Sequence, residues 1–267
     1  GVVTEVGAEV DGFKPGDYVT YVGAPAFAEY TLVPALTAVK TSSATAETMS
    51  VSYAACASAS LEVAGEMKSG ETVLVTAAAG GVGQYVVQLA KLAGNTVIGT
   101  TSSAEKAKFL LELGCDRVIN YSEEDAGSVL TEEYPQGIDL LFDNVGGDFL
   151  ASLVPHLAMH GRIVSFGVTS GYTAGPDTDK QKPGQLQNVL SALILKCASI
   201  RGISLGTNPA PLIKHRAIAQ TLLDEGKLRP GIDPTVFAGL ESVPDALAYV
   251  LAKRNMGKVA VQIQELP

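Results

Sequence analysis

A cluster of glycines follows an apolar run in the stretch VLVTAAAGGVGQ, residues 73–84, and could bind a dinucleotide. Its spacing is AxGxxG, with Ala78 where a dinucleotide-binding fingerprint usually has its first glycine. Gly80 would let the backbone approach a pyrophosphate, and Gly83 would let the following helix pack closely on the strand. The free N–H groups at the start of that helix favour a phosphate. An alanine- and glycine-rich turn without a ligand is the alternative. We predict a cofactor site at Gly80, Gly81, Val82 and Gly83.

An absence of acidic residues at the end of the next strand indicates which dinucleotide binds. NAD sites usually have an Asp or Glu about 20 residues after the glycines, where it binds the ribose hydroxyls. No Asp or Glu occurs between Thr72 and Ala104. The hydroxyl of Ser102 and the ammonium of Lys106 suit a 2′-phosphate, which an acidic residue would repel. We therefore predict NADP(H) rather than NAD, although Lys106 taken alone is more typical of a solvated surface lysine.

The cysteines and histidines offer no obvious metal site. The cysteines are far apart and form no CxxC pair, which is typical of a reducing compartment without a disulfide framework; they are Cys56, Cys115 and Cys197. His156 and His160 are four residues apart and would share a helix face. Neither an HExxH pattern nor a nearby cysteine accompanies them. We expect a solvent-exposed helix end at these histidines and no bound metal.

A second catalytic pattern occurs near the end of the chain. Tyr249 and Lys253 have the YxxxK spacing of the acid–base pair in short-chain dehydrogenases. Those enzymes begin at the glycine turn, whereas here about 70 residues precede that turn and only 14 follow Lys253. We therefore interpret Tyr249 and Lys253 as one face of an amphipathic helix.

The residues of the predicted cofactor site must be positioned by helices and strands. From about residue 70 the chain alternates strand and helix patterns. Such alternation predicts an α/β fold, a doubly wound parallel sheet of the Rossmann type. Ser102 and Glu105 have the spacing of a capping box for one of the helices. The predicted strands cover 73–77, 96–101, 115–119, 138–143, 162–166 and 199–205, and the predicted helices cover 82–93, 104–113, 148–158 and about 211–225.

Other patterns flank this alternation. Residues 1–40 contain short β-rich runs, and residues 47–66 are rich in alanine and compatible with a helix. The polar segment 170–185 is typical either of a substrate-side flap or of a plain surface loop. A helix over 242–255 and the strand KVAVQI follow, and that last strand could pair with the N-terminal β segment.

Composition excludes several classes of function. The 267 residues are 46% hydrophobic, enough for a full core, and carry a net charge of −9 without a basic face. We therefore expect no nucleic-acid partner. No apolar run approaches the roughly 18 residues of a membrane span, so we expect no membrane partner either. No signal peptide is visible, and we expect a cytoplasmic protein whose first residues already read as mid-domain strand.

Runs of sequence along nearly the whole chain resemble one family, in the same order. They include GVVTEVGAEVDGFKPGDYV, AFAEY, VLVTAAAGGVGQYVVQLAK, DNVGG, GRIVSFG and KRNMGKVAVQI. In these runs the chain is similar to the medium-chain dehydrogenase/reductase superfamily, in its zinc-free quinone oxidoreductase and prostaglandin reductase branches. The runs LGCDRVINYSEED, EYPQGID and GVTSGY most resemble prostaglandin reductases of the zinc-binding alcohol dehydrogenase domain-containing type.

The resemblance implies both a domain layout and site residues. Residues 1–46 would be a partial GroES-like β-barrel domain that carries catalytic residues, 47–208 an NADP-binding Rossmann domain, and 209–267 a return to the catalytic domain. Tyr121 and Asn144 have ordinary alternatives, a strand-end aromatic and a turn former. The implied contacts are Ser102, Lys106 and Tyr121 at the 2′-phosphate and ribose, Asn144, Phe166, Gly167 and Val168 along the nicotinamide half, and Asn255 at the cofactor.

The resemblance also bears on zinc. Zinc-dependent relatives insert a cysteine-rich lobe between the strands that match GDYV and FAEY, whereas here only TYVGAPA separates them. Cys56 falls where relatives have a threonine near the nicotinamide, and a lone thiol is more often a packing residue than a ligand. We therefore predict chemistry without zinc.

The implied reaction is NADPH-dependent hydride transfer from the nicotinamide C4 to the β-carbon of an enone, such as a 15-keto-prostaglandin-like substrate, or to a quinone. Tyr172 is the best visible candidate for the proton donor. A zinc-dependent alcohol dehydrogenase and a non-catalytic, crystallin-like NADPH-binding relative are the alternatives. We expect a homodimer, as is common in the family. Some relatives are peroxisomal by a C-terminal signal, which the ending QELP does not match.

Overall fold

The computed structural model describes residues 1–21, 26–171 and 185–264. Its strands are, in chain order, β1 (Val19–Thr20), β2 (Val39–Lys40), β3 (Thr72–Val75), β4 (Thr96–Thr101), β5 (Arg117–Asn120), β6 (Ile138–Asp143), β7 (Leu157–Ser165), β8 (Ser199–Gly202), β9 (Phe237–Ala238) and β10 (Val261–Gln262). Its α-helices are α1 (Ser50–Val63), α2 (Gly83–Leu92), α3 (Ala104–Glu112), α4 (Ala126–Glu133), α5 (Gly147–Leu153), α6 (Gln185–Leu195), α7 (Ala210–Asp224) and α8 (Val243–Leu251).

Six of the strands form one parallel sheet in the order β5-β4-β3-β6-β7-β8. The order runs outward from β3 in one direction and from β6 in the other, so the chain changes direction between these two neighbours. This arrangement confirms the doubly wound α/β fold of the Rossmann type. In such sheets the crevice beyond the carboxyl ends of the two central strands is the usual ligand position.

Alternating residues of the strands β3 to β7 pack against helices on opposite faces of the sheet. Val73 and Val75 of β3 belong to a buried cluster with α1, α2 and α7, whereas Leu74 between them belongs to a second cluster with α4, α5 and α6. Strands buried on both faces read as continuous apolar runs rather than as alternating ones. This burial explains why VLV and DLLF predicted strands so clearly.

The predicted helix over 148–158 is wrong in its second half. Helix α5 ends at Leu153, a short 3₁₀ turn covers Val154–His156, and β7 begins at Leu157. The segment 157–159 reads as helical locally, but Leu157 pairs with Ile138 of β6, and after an irregularity the pairing resumes at Arg162, so the sheet determines the structure of this segment. His156 and His160 therefore do not share a helix face, and His160 has a left-handed φ of 62°.

Two helices within the described residues were not predicted. Helix α4 has only eight residues and contains Gly127, so its helical period is short. Helix α6 begins at Gln185, where the sequence predicted the end of a polar loop. The other strands and helices predicted from residue 47 onward occur, with ends that differ by up to five residues.

The ends of the chain form smaller elements. In the N-terminal part β1 pairs antiparallel with β2, and Val2 bridges Tyr18, whereas the predicted strand over 27–33 does not form. At the other end α7 packs along α1. The suggested pairing of the last strand with the N-terminal segment is wrong within the described residues, because β10 pairs in parallel with β9.

No helix in the described part of the chain is both long enough and apolar enough to cross a membrane.

Candidate functional site

The glycine turn lies at the carboxyl end of β3, directly before α2, as the sequence predicts. A side chain at Gly83 would place its Cβ 2.5 Å from the carbonyl oxygen of Ala77 and 2.9 Å from the Cα of Ala78. A Cβ at Gly80 would lie 3.1 Å from the same Ala77 oxygen. Only glycine fits at Gly83, and its absence of a side chain brings the start of α2 against the strand end.

Ala78 stands where the first glycine is usual, and Gly99 on β4 accommodates it. The methyl group of Ala78 is fully buried. A Cβ added at Gly99 would lie 3.1 Å from the Ala78 Cβ and 3.0 Å from the Sγ of Cys115. The absence of a side chain at Gly99 therefore leaves space for the methyl group of Ala78, and the two strands stay closely packed.

Thr76, at the end of β3, connects the turn to the end of β6. Its hydroxyl donates to Asp143 Oδ1 at 2.8 Å and accepts the N–H of Asn144 at 2.8 Å. The amide Nδ2 of Asn144 donates to the Thr76 carbonyl at 2.7 Å. Asn144 is thus buried and fixed in the crevice between the central strands.

Asp143 is fully buried beside this threonine. Burial raises the pKa of its carboxyl, and hydrogen bonds from Thr76 and from the N–H groups of Val145 and Gly146 act in the opposite direction. These donors hold the turn after β6 in one conformation, which positions Asn144.

The predicted nicotinamide-side turn, Phe166-Gly167-Val168, lies against this same turn. The N–H groups of Phe166 and Gly167 both donate to the Asp143 carbonyl, at 2.9 and 3.2 Å. A Cβ at Gly167 would meet the carbonyl oxygen of Asn144 at 2.8 Å, so this close approach needs glycine. Val168 is exposed. The structure therefore brings Asn144 and residues 166–168 together, as the resemblance implies.

The segment Asn255–Lys258, here called the C-terminal strap, crosses the glycine turn. The N–H of Gly257 donates to the Ala79 carbonyl at 2.7 Å, and Gly257 bridges Gly80 as in a parallel pair. Gly257 has a left-handed φ of 88°, and a Cβ there would collide with the Gly231 carbonyl. Asn255 donates from Nδ2 to the Gly257 carbonyl at 2.8 Å, so its side chain shapes the strap.

A pocket of about 270 Å³ lies at the carboxyl end of β4, between the start of α3 and the end of α8. Lys106, Lys253 and Arg254 contribute three cationic side chains to its lining. The Nζ of Lys106 donates to the Lys253 carbonyl at 2.6 Å. Burial lowers the pKa of Lys106, and the nearby acids Asp233 and Glu105 act in the opposite direction.

Ser102, predicted at the 2′-phosphate, and Ser103 line this pocket too, but the predicted capping box of Ser102 and Glu105 does not form. Ser103, not Ser102, is the N-cap of α3, and its Oγ accepts the N–H of Lys106 at 3.3 Å. Residue Glu105 is exposed in the first turn and does not complete a capping box. The Ser102 carbonyl accepts the Ser122 hydroxyl at 2.9 Å, which ties the ends of β4 and β5 together.

Two acidic side chains, Asp233 and Glu105, also line the pocket, but neither lies at the end of β4. The Oδ2 of the buried Asp233 accepts the Met256 N–H at 2.7 Å, and Oδ1 accepts the Thr235 N–H at 2.9 Å. Glu105 is exposed in the first turn of α3. Because neither acid lies at the end of β4, the position that binds ribose hydroxyls in NAD sites has no carboxylate. Three cations against two carboxylates leave the pocket net positive.

Tyr121 follows the last residue of β5, and its N–H donates to the Thr101 carbonyl at 3.0 Å. Its ring is partly exposed and packs on Phe149, with 5.4 Å between the ring centroids. Tyr121 is therefore at the same sheet edge as Ser102, but it does not line the cationic pocket.

The interpretation of Tyr249 and Lys253 as one helix face is wrong for the lysine. Helix α8 ends at Leu251, and Lys253 lies beyond it with a left-handed φ of 56°. Tyr249 points inward and accepts the Thr235 hydroxyl at 3.1 Å. Lys253 and Arg254 instead line the pocket, a role that the sequence analysis missed although the basic pair directly precedes NMGK.

Cys56 and Tyr172 are the remaining residues that the sequence singled out. Cys56 is buried on α1, and burial raises the pKa of its thiol to about 11. Tyr172 lies outside the described residues. Within residues 1–21, 26–171 and 185–264, no three His, Cys, Asp or Glu side chains come together in a group that could hold a metal ion.

Comparison with known proteins places this geometry in a family. The family model described as zinc-binding dehydrogenase matches residues 81–220. The chain is 41% identical over 265 residues to prostaglandin reductase-3 of Mus musculus, covering 94% of this chain and 68% of that protein. It is 38% identical over 266 residues to a probable quinone oxidoreductase of Leishmania amazonensis, covering 99% and 78%.

A solved structure agrees with the sequence relatives. The quinone oxidoreductase of Escherichia coli, complexed with NADPH, superposes with a TM-score of 0.83 at 26% identity, covering 98% of this chain and 80% of that one. With the sheet order, the glycine turn and these relatives, the chain belongs to the medium-chain dehydrogenase/reductase superfamily, in the branch of the quinone oxidoreductases and prostaglandin reductases.

Proposed function

We propose that this protein is an NADPH-dependent reductase that transfers a hydride to the carbon–carbon double bond of α,β-unsaturated carbonyl compounds or to quinones. The observation that carries the proposal is the pocket at the end of β4, where Lys106, Lys253 and Arg254 surround a strand end without a carboxylate. A 2′-phosphate is the part of NADP(H) that such a pocket suits, since ammonium and guanidinium groups make strong charge-assisted hydrogen bonds to phosphate.

The residues present fit the whole dinucleotide. Gly80 and Gly83 leave space at the turn that a side chain would fill, and the start of α2 presents N–H groups to a phosphate. Tyr121 and Ser102 would contact the ribose that bears the 2′-phosphate. Asn255 would lie at the cofactor, and its side chain shapes the C-terminal strap beside the glycine turn.

Asn144 and the turn 166–168 would hold the nicotinamide half. Asn144 is held by its hydrogen bond to Thr76, and Gly167 allows the two turns to touch, so the contacts that shape this surface are present without a ligand. NADPH supplies the hydride when it is bound. The chain would orient the nicotinamide and the substrate and would exclude water. Orientation alone can lower the activation barrier by about 7–11 kcal/mol in favourable cases. We propose Tyr172 as the proton donor.

We also propose that the reaction needs no zinc and that a small-molecule enone or quinone is the substrate. The relatives are named as a prostaglandin reductase and a probable quinone oxidoreductase, and these names support the substrate class. The separation of Cys56, Cys115 and Cys197 supports chemistry without zinc. An NADPH-oxidation assay with a panel of enones and quinones, combined with metal analysis of the purified protein, tests both points. Turnover without bound metal is expected. Stoichiometric zinc, or no turnover with any compound, would contradict the proposal.

The domain layout is proposed on similar grounds. Residues 47–208 would form the Rossmann domain, 1–46 part of the GroES-like domain, and 209–267 a return to that domain. The antiparallel pair β1–β2, separate from the large sheet, supports a distinct N-terminal unit. The packing of α7 on α1 supports a C-terminal segment that closes over the boundary.

Exposed apolar residues at the outer edge of the large sheet support the proposal of a homodimer. Strand β8 is an edge strand with Ile200 exposed, and the neighbouring helix α6 exposes Leu190, Ile194 and Leu195. Apolar residues grouped at an unpaired strand edge are typical of an interface between copies. Sedimentation analysis of the protein and of Ile194→Asp checks this, and a monomeric unchanged protein would contradict it.

The free state of the three cysteine thiols supports the proposal of a cytoplasmic location. Cys197 is exposed and unpaired, and the two buried cysteines are also free, as is usual in a reducing compartment.

A further inference from the structure

Lys258, at the end of the C-terminal strap, has its backbone fixed beside the glycine turn. Its N–H donates to the Gly231 carbonyl at 2.9 Å, and its own carbonyl accepts the N–H of Asp233 at 2.9 Å. The preceding residue, Gly257, bridges Gly80. The start of the Lys258 side chain therefore cannot move far from the turn.

The side chain of Lys258 lies directly over the position where Gly81 has no Cβ. A Cβ built at Gly81 would be 3.1 Å from Lys258 Cδ and 3.8 Å from its Cβ. The ammonium Nζ lies 4.4 Å from the centroid of the Tyr53 ring on α1. Glycine at position 81 thus makes room for the lysine side chain, whereas the backbone approach that the fingerprint predicts belongs to Gly80.

The ammonium of Lys258 has no carboxylate partner among the residues that the structure describes, which distinguishes it from paired lysines such as Lys91 and Lys227. An aromatic ring attracts a cation but leaves its charge uncompensated, so the group stays able to bind an anion. An unpaired, half-buried cation at a phosphate-binding turn needs an explanation beyond packing.

We propose that Lys258 binds the pyrophosphate of the dinucleotide, with Tyr53 holding its side chain over the glycine turn. This inference rests on the proposed NADPH-dependent function. The residues before the strap, Lys253 and Arg254, line the pocket at the end of β4, and Lys258 lies at the strap's other end. The same short segment would thus supply cations to both phosphate positions of NADPH.

The two positions predict different patterns of binding. A cation at the 2′-phosphate affects NADPH only, because NADH lacks that group. A cation at the pyrophosphate affects NADPH and NADH equally and does not affect 2′-AMP, which carries the 2′-phosphate without a pyrophosphate. The pattern of loss therefore identifies the phosphate that Lys258 contacts.

The experiment measures dissociation constants for NADPH, NADH and 2′-AMP in Lys258→Met, with Lys258→Arg as the conservative variant. The matched control is Lys227→Met, which removes a lysine of an exposed ion pair with Glu225. Lys258→Met is expected to weaken NADPH and NADH by about tenfold each, in line with a lost charge-assisted hydrogen bond, and to leave 2′-AMP binding unchanged. Lys258→Arg and Lys227→Met are expected to bind like the unchanged protein, and Tyr53→Leu to lose part of the affinity.

Thermal unfolding of ligand-free Lys258→Met identifies a folding defect, and if the variant is unstable the same measurements on Lys258→Gln and Tyr53→Leu decide. If Lys258→Met bound NADPH as tightly as the unchanged protein does, and NADH likewise, the inference would be overturned while the proposed function would stand. A loss confined to NADPH and 2′-AMP would also overturn it, by placing the lysine at the 2′-phosphate. If the unchanged protein bound neither dinucleotide, the proposed function would fall together with the inference.

Discussion

The Nζ of Lys106 donates a hydrogen bond of 2.6 Å to the main-chain carbonyl of Lys253, 147 residues further along the chain. A carbonyl is neutral, so it orients the ammonium without compensating its charge. The bond positions Lys106 at the pocket before any ligand arrives, and a phosphate can replace the carbonyl as the stronger acceptor. The start of α3 and the end of α8 are thereby joined at the predicted selectivity position.

Replacing Lys106 by alanine is expected to abolish most of the preference for NADPH over NADH. The loss of one charge-assisted hydrogen bond to phosphate is worth about 1.5–3 kcal/mol, which corresponds to roughly ten- to a hundredfold in affinity. The dissociation constants of NADPH and NADH, measured on the same preparation, check the ratio. Lys108→Ala, an exposed lysine on the same helix, is the control. An unchanged ratio in Lys106→Ala would remove this residue from the 2′-phosphate site.

Replacing Gly99 by alanine is expected to destabilise the fold by about 1–3 kcal/mol, because its Cβ would crowd Ala78, Cys115 and Leu110 at 3.0–3.2 Å. Urea unfolding measures the free energy. In the double variant Ala78→Gly, Gly99→Ala, part of the loss should be recovered, since one of the three crowding groups is gone. Simple additivity of the two single changes would show that Ala78 and Gly99 do not share this packing space.

Replacing Thr76 by valine is expected to lower the free energy of unfolding by about 1–3 kcal/mol. The change keeps the shape but leaves the N–H of Asn144 without its acceptor and Asp143 Oδ1 without the hydroxyl donor. Thr76→Ser keeps the hydroxyl and should behave like the unchanged protein in the same urea titration. An unchanged stability in Thr76→Val, or an equal loss in Thr76→Ser, which keeps the hydroxyl, would show that these hydrogen bonds do not account for the effect.

The buried His215 should make the fold sensitive to acid. Burial lowers its pKa from the ordinary value of 6.5, while Glu62 acts in the opposite direction, and Ser58 Oγ lies 2.7 Å from its Nδ1. Lys214, the other charged neighbour, also lowers the pKa. Between pH 6.5 and the lower pKa of the folded state, the unfolded chain binds more protons, so the free energy of unfolding falls as the pH falls.

His215→Gln should therefore show a shallower loss of stability than the unchanged protein below pH 6.5. The measurement is the free energy of unfolding across pH 5–8, compared as a slope, so a constant loss caused by the substitution does not matter. His160→Gln changes an exposed histidine and is the control. A slope in His215→Gln equal to that of the unchanged protein would assign the acid sensitivity to other groups. His156, whose pKa is also lowered chiefly by burial, is the first of these.

The sequence predicts the sheet well because its central strands are buried on both faces and therefore read as apolar runs. It predicts β7 poorly, because LAMHG has no β pattern of its own and becomes a strand only by pairing with β6. Adjacent serines show the same limit on a smaller scale. Either Ser102 or Ser103 could cap α3, and only the extended backbone of Ser103 in the folded chain decides between them.

The candidate site divides in a similar way. The glycine turn, Lys106 and the absence of a strand-end acid are local features, so spacing alone predicts them. Lys253 and Lys258 reach the same site from the far end of the chain through the turn after α8 and the bridge between Gly257 and Gly80. These contacts depend on tertiary structure. Spacing therefore suggested a different role for Lys253.

The most direct test of the proposed reaction follows a deuterium label from the cofactor. NADPH deuterated at C4 of the nicotinamide is incubated with the protein and an enone in buffer that contains a metal chelator, and the product is examined by NMR. The proposed function predicts a saturated carbonyl product with deuterium at the β-carbon and an undiminished rate in the chelator. Deuterium at the carbonyl carbon, in an alcohol product whose formation stops with chelator and resumes with zinc, would contradict it.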